Sequence, residues 1–529
     1  MCQCNVSRQY TLSVMRLRMK CFGILVFVCL GITAESAFAQ DAKIKIDILP
    51  ELTRARIEGE TMESRVWSFR KSYADVLDLG DRIESFTLAD AKGKNIAVRR
   101  IAPGEYESNQ PASRFSYEVR LMPPTVPGDG AMVSWMDSSR ALLMLGDLLP
   151  LFPNEPRASL IAGGGSGSGL AGLTKIQSAP VRIHFQVPKG WSVYSTEPRN
   201  PDEDFAVPDI SKAVFIAGNA LRVKRSRINS MDFSFITTGD WAFDDEDAFQ
   251  LAEKIIAEHA RTFSSMPANH AALILTSFPM PVSSGKWSAE TRGATVTLLL
   301  GKQPSRTVAL AELGVPLTHE LFHLWLPNGT RLQGEYGWFY EGFTIYQAAR
   351  AAVRLGLLTF PEFLNGIARA YDQYRSLQGD DRLSLIDASA RRWAGGQSIV
   401  YQKAMVVAFL YDLSVRFESR GRNSLDDVYR TLLGRYPLFK PGAAESKRVD
   451  EDPDGNLVAL EVLSTAPGMQ SFAQNFVRQP VTINLGSELP RFGLNVETAG
   501  ARSRIIVSEK LTRKQRDLLR DLGYNGDRR

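Results

Sequence analysis

Val315-Pro-Leu-Thr-His319-Glu320-Leu-Phe-His323-Leu-Trp325 and, opening 15 residues after His323, Trp338-Phe-Tyr-Glu341-Gly-Phe-Thr344 are the stretches on which the reading of this chain turns. The apolar residues around the histidines fall at helical spacing until Pro327 stops the run. In a helix, positions i and i+4 project from one face. His319 and His323 can therefore meet one Zn²⁺ at about 2.0 to 2.1 Å. Glu320, one residue further round, sits beside such a metal rather than on it, within reach of a water, which suits a general base.

Two ordinary helix histidines would give the same five letters, so the second stretch matters. A loop rich in breakers (Pro327, Asn328, Gly329, Gly334, Gly337) lets the chain turn back and bring Glu341 as a third ligand. Two histidines and one carboxylate leave the fourth position of a tetrahedral zinc open for water, as in catalytic sites; structural zinc usually closes its shell with cysteine.

No cysteine is at hand for that. All four (Cys2, Cys4, Cys21, Cys29) fall within residues 1–39, which read as a secretory signal. Arg16, Arg18 and Lys20 form its basic stretch, Cys21 to Ala34 its apolar run, and Ala37-Phe38-Ala39 a small-residue cleavage site. The apolar run falls short of the roughly 20 residues needed to span a bilayer. The expectation is an exported protein, periplasmic or secreted, starting near Gln40, with no disulfide and no membrane anchor once cleaved. Three of the five net positive charges belong to this leader (Arg8, Arg16, Arg18, Lys20 against Glu35). The remainder suggests neither nucleic acid nor an anionic membrane as partner.

At 529 residues and 44% hydrophobic content the chain can bury more than one core. From Lys43 to about Asp240 it is strand-like, in runs such as Lys43-Ile-Lys-Ile-Asp-Ile48 and Val181-Arg-Ile-His-Phe-Gln-Val187. Gly167-Ser-Gly169-Leu-Ala-Gly172 matches a dinucleotide-binding pattern in form, but lacks the helix and downstream acid such a site needs, and reads as a surface loop. After Asp240, Asp244 to Phe263 has helical spacing, Ala271 to Phe278 and Ala294 to Leu300 look like strands, and helices dominate from Val315. Ser508 to Arg529 reads as a short basic helical tail. The expected organisation is a signal over 1–39, a β-rich domain over 40–240, a catalytic domain over 241–440 and a helical C-terminal region over 441–529.

H-E-x-x-H followed by W-x-x-E-G-F resembles the gluzincin signature, and further details are similar to the glycyl aminopeptidase family of zinc metallopeptidases. Trp325 matches that family's tryptophan two residues past the second histidine. Tyr401-Gln-Lys403-Ala resembles its Y-x-K-G helix, with Ala404 in place of the glycine, and Ser424-Leu-Asp-Asp-Val428 matches another stretch. Trp287-Ser-Ala-Glu290-Thr-Arg292-Gly-Ala-Thr295 aligns with its G-G-L-E-H-R-N-S-T strand, Trp287 and Ser288 replacing the glycine pair.

The resemblance implies an α+β fold, a β-rich N-terminal domain followed by a thermolysin-like zinc peptidase domain with a helical C-terminal part. It implies one Zn²⁺, Tyr401 as hydrogen-bond donor to the oxyanion and Glu290 as binder of the substrate's free amino group. The activity implied is that of a zinc aminopeptidase in which Glu320 assists attack of a zinc-bound water on exported or periplasmic peptides. Some 35 residues follow Gly493, too few for the PDZ domain that often ends relatives. Two alternatives stay open on sequence alone: a zinc endopeptidase with the same site, and an inactive zinc-bearing scaffold that binds peptides. Tyr401 as a core aromatic and Glu290 as an ordinary strand carboxylate also remain open, as do side-chain preference and oligomeric state.

Overall fold

The computed structural model describes residues 42–151, 180–376, 382–439, 452–500 and 502–526. The proposed leader and the glycine-rich stretch at 161–172 lie outside the described residues.

The N-terminal part is built on alternation. In Ala42–Leu49 the residues Ile44, Ile46 and Ile48 face inward while lysines and an aspartate face out, the period-2 pattern of a sheet covered on one face. This strand pairs antiparallel with Arg54–Ser68 and parallel with Val181–Gln186, inside an eight-stranded sheet. A four-stranded sheet (Ser192–Ser195, Val214–Gly218, Arg140–Met144, Trp135–Met136) packs beside it, sharing a core that contains Phe69, Tyr117 and Phe215.

A third sheet of five strands carries the site. Its order is Arg222–Ile228, Met231–Thr238, His270–Ser277, Thr295–Leu300, Trp287–Arg292. The strands before Asp240 thus hydrogen-bond to those after it. Met231–Thr238, His270–Ser277 and Thr295–Leu300 run parallel to one another, and the helix Asp245–Phe263 makes the crossover between the first two. Such strands are covered on both faces, which is why Thr295–Leu300 is buried throughout. Trp287–Arg292 is antiparallel to its one neighbour and forms the sheet's edge.

From Arg306 onward the chain is mainly helical. The helix Ala404–Ser419 is apolar all round and buried from Ala404 to Arg416. Its one central acid, Asp412, accepts from Tyr346 Oη (2.6 Å), Arg416 Nε (3.0 Å) and the Leu425 backbone N–H (2.8 Å), with Arg350 at 3.3 Å. The C-terminal part is not wholly helical: Leu494–Ala499 and Arg502–Val507 form a hairpin before the basic helix Arg513–Asp521. Among the described residues no helix is long and apolar enough to cross a membrane. The architecture is mixed α and β, strands first and helices last.

Burial alone would raise the Asp412 pKa, but Arg350 and Arg416 hold it well below the ordinary carboxylate range. Its charge therefore stabilises the fold above an unfolded pKa of about 3.9, and that contribution is lost as pH falls further. Asp412→Asn is expected to cost about 3–5 kcal/mol, read from denaturant midpoints at neutral pH, because it takes the carboxylate from the buried Arg416 guanidinium and leaves Arg350 with Asp426 alone.

Candidate metal centre

The histidine-bearing helix spans Arg306–Phe322, starting nine residues ahead of Val315 because Ser305 caps it by accepting from the Val308 N–H, and it carries Pro316 in its interior. Its last turns are fixed from behind. Burial pushes His259 down to about 3, so it is neutral and donates from Nε2 to the Thr318 carbonyl (2.9 Å). Trp325 stacks on Phe263 (5.5 Å) and donates to the Ser265 carbonyl (2.8 Å). Asn328 joins the helix end to the edge strand: it donates to the carbonyls of His323 (3.1 Å) and Thr291 (3.3 Å) and accepts from the Gly293 N–H (3.1 Å).

The other half of the site comes from two π-helical turns, Trp338–Phe343 with Glu341 and Ile399–Lys403 with Tyr401, a conformation frequent at functional positions. They meet where Gly342 passes Ala404. A Cβ on Gly342 would lie 2.3 Å from the Ala404 Cβ and 2.5 Å from the Val400 carbonyl oxygen. The glycine of the W-x-x-E-G-F run is thus required by backbone approach, and position 404 must be small. Trp338 sets the first turn by donating from its indole N–H to Asn456 Oδ1 (2.8 Å) and from its backbone N–H to the Ser389 hydroxyl oxygen (2.8 Å).

His319 Nε2 and His323 Nε2 stand 3.0 Å apart, and Glu341 Oε2 lies 3.5 Å from each. Donors about 2.0–2.1 Å from one tetrahedral ion are separated by roughly 3.4 Å, so the three atoms fit one zinc. His323 Nδ1 donates to the Leu326 carbonyl (2.9 Å), which leaves the Nε2 lone pair facing the site. Burial works to lower the His323 pKa, yet the Glu341 carboxylate raises it to about 9, while Arg392 and the histidines hold Glu341 well below the usual range against the effect of its burial. The three donors are spaced as a single zinc site requires.

Glu320 is buried beside the triad, its Oε2 2.8 Å from the Thr291 hydroxyl, which also lies 2.9 Å from the Glu320 carbonyl. Glu290 is on the same edge strand and is not an exposed carboxylate: its side chain is 20% exposed. Tyr73, from the N-terminal part, donates to its Oε1, and Arg292 Nε approaches the same oxygen at 3.7 Å. Arg292 also lies over the Tyr73 ring, 3.9 Å from its centroid. Burial raises the pKa of Glu290 and pushes Tyr73 up to about 12. Ser288, in place of a family glycine, donates to the Gly128 carbonyl (2.6 Å), whereas Trp287 is 43% exposed.

Tyr401 meets Arg392, which donates to its hydroxyl and pairs with Glu341 Oε1 (2.9 Å). Burial first, and then the Glu341 charge, raise the Tyr401 pKa, so the hydroxyl keeps its proton at neutral pH. All six residues singled out by sequence therefore gather at one place. Tyr73, Thr291, Asn328 and Arg392 were not singled out. Thr291 sat inside the aligned strand and Asn328 inside the breaker loop, but nothing local marked Tyr73, and Arg392 had only the Gly395-Gly396 pair after it as a sign of a tight turn.

Residues 315–408 match the M61 glycyl aminopeptidase family. No curated protein matches the chain at a significant level. Among solved structures, an aminopeptidase N family protein from Idiomarina loihiensis is 16% identical with a TM-score of 0.66, over 86% of this chain and 79% of that one. The M1 zinc metallopeptidase from Deinococcus radiodurans is 13% identical with a TM-score of 0.50, over 84% and 95%. A mutant of that enzyme bound to a Tyr-Ser-Ala substrate is 12% identical with the same TM-score and coverage. At these identities the likeness is one of fold.

Because Gly342 allows the approach that places Glu341, Gly342→Ala is expected to weaken zinc binding about tenfold, an overpacking cost of order 1–3 kcal/mol. Competition with a chromogenic chelator measures it. His323→Ala should abolish stoichiometric zinc in the same assay.

Proposed function

We propose that the chain is an exported zinc aminopeptidase. The observation that carries this reading is the convergence, on one strand edge, of the donor triangle His319–His323–Glu341 with Glu320 beside it and Glu290 anchored on the same strand. When bound, zinc acts as a Lewis acid that polarises a peptide carbonyl and makes water more acidic.

The protein's own groups supply the rest. Thr291 holds Glu320 through Oε2, so Oε1 is the oxygen that takes a proton from the attacking water and then returns it to the leaving amine. Tyr401 keeps its proton and donates it as a hydrogen bond to the carbonyl oxygen as negative charge develops there. Glu290 receives the substrate's α-ammonium group at Oε2, since Oε1 faces Tyr73 and Arg292. A cation arriving there also favours the ionised carboxylate that burial disfavours. The extended peptide follows from this anchor along the strand Trp287–Arg292, and the first residue's carbonyl falls at the metal. Residues 1–39, read as a cleaved signal, put the enzyme's substrates outside the cytoplasm.

Glu320→Gln is expected to retain one zinc per chain and to lose about 10²–10⁴-fold in kcat, measured on fluorogenic aminoacyl substrates. Wild-type-like turnover by the zinc-loaded variant would sink the mechanism. Peptides with a free N-terminus should be cleaved in preference to their N-acetylated forms, and Glu290→Gln should raise KM for the free ones. Equal cleavage of acetylated peptides, with internal products on a mass spectrum, selects an endopeptidase instead.

A further inference from the structure

Arg392 lies on the short turn Arg392–Ala394 and belongs to none of the motifs that marked the site. The turn is tightly set: Gly395 has φ +98°, and a Cβ on Gly396 would lie 2.2 Å from the Ala388 carbonyl oxygen. The guanidinium is 11% exposed, stacks on Trp393 with its carbon 4.5 Å from the ring centroid, and places Nη1 3.2 Å from the Tyr340 hydroxyl. Its Nη2 faces two groups at once, Glu341 Oε1 at 2.9 Å and the Tyr401 hydroxyl.

We infer that Arg392 is a positioning residue that couples the metal ligand to the oxyanion donor, an inference that rests on the zinc peptidase reading. Nη2 has two hydrogens and no acceptor. One faces Glu341 Oε1 in the 2.9 Å ion pair, so that Oε2, 3.5 Å from each histidine Nε2, is the oxygen that would face a metal. The other goes to the Tyr401 oxygen, which must accept it, because arginine only donates. A phenol that accepts from a fixed cation has its single proton directed elsewhere, here toward the substrate carbonyl, and the adjacent positive charge makes it a stronger donor. A planar guanidinium is suited to this double duty in a way that a neutral side chain is not.

The test uses Arg392→Met, Tyr401→Phe, the double variant and Arg392→Lys, each checked for wild-type melting behaviour. Arg392→Met should lower kcat about 100-fold with KM within about threefold of wild type, the size of one lost oxyanion donor. Combined with Tyr401→Phe it should cost little beyond Tyr401→Phe alone, because the two act as a unit. Arg392→Lys, which keeps charge and donors, should recover part of kcat. In chelator competition without substrate, Arg392→Met should hold zinc on the order of tenfold less tightly, as for other groups that orient a metal ligand. Multiplicative losses in the double variant overturn the link to Tyr401, and unchanged zinc affinity overturns the link to Glu341. A wild-type chain that binds one zinc and cleaves no peptide overturns the peptidase reading, while the chelator measurement still decides the Arg392–Glu341 link.

Discussion

The site depends on one steric constraint, the passage of Gly342 against Ala404 and the Val400 carbonyl. His319 and His323 are brought together by the i, i+4 spacing of one helix. Glu341 is different, because it arrives from a separate element and must stop at the distance that makes three donors one site. The stop is set by the Ala404 methyl and the Val400 carbonyl, neither of which can rotate out of the way. The two π-helical turns that meet there each carry one functional side chain, Glu341 on one and Tyr401 on the other. A single close approach therefore sets the positions of Glu341 and Tyr401 together.

Charge is the second organising fact. Glu290, Glu320 and Glu341 sit within a small, largely dehydrated region, and unbalanced carboxylates there would take up protons or push apart. Arg292 answers Glu290 and Arg392 answers Glu341, while Glu320 has only a threonine hydroxyl. Of the three acids it is the one with no guanidinium beside it in the ion pairs of the described residues.

What the sequence made legible was what short-range rules encode. The alternation of Ala42–Leu49, the helical spacing of Asp245–Phe263 and the His-Glu-x-x-His spacing all reflect periods within one element, and the structure bears each of them out. Glu341 came from the breaker loop that turns the chain back, Tyr401 and Glu290 from a resemblance, and the fold brings all three to the same centre. The early start of the histidine helix was missed because Pro316 looks like a boundary, although a buried helix capped at Ser305 tolerates it. The hairpin at 494–507 was missed because its outer residues are charged or small and hide the period. Tyr73 and Arg392 had no local signature at all: Tyr73 reaches Glu290 across 217 positions of sequence, and Arg392 lies on an irregular turn. Their identity as site residues exists only in three dimensions.

Thr291 gives the edge strand a meaning beyond scaffolding. Its hydroxyl touches both the carboxylate and the main-chain carbonyl of Glu320, while its own carbonyl is held by Asn328. The rail along which a peptide would lie and the carboxylate proposed as the proton acceptor are thus joined by direct hydrogen bonds. Any tilt of the strand is transmitted to the acid within a single side-chain length, so seating of a chain on that rail and readiness of the acid rise and fall together.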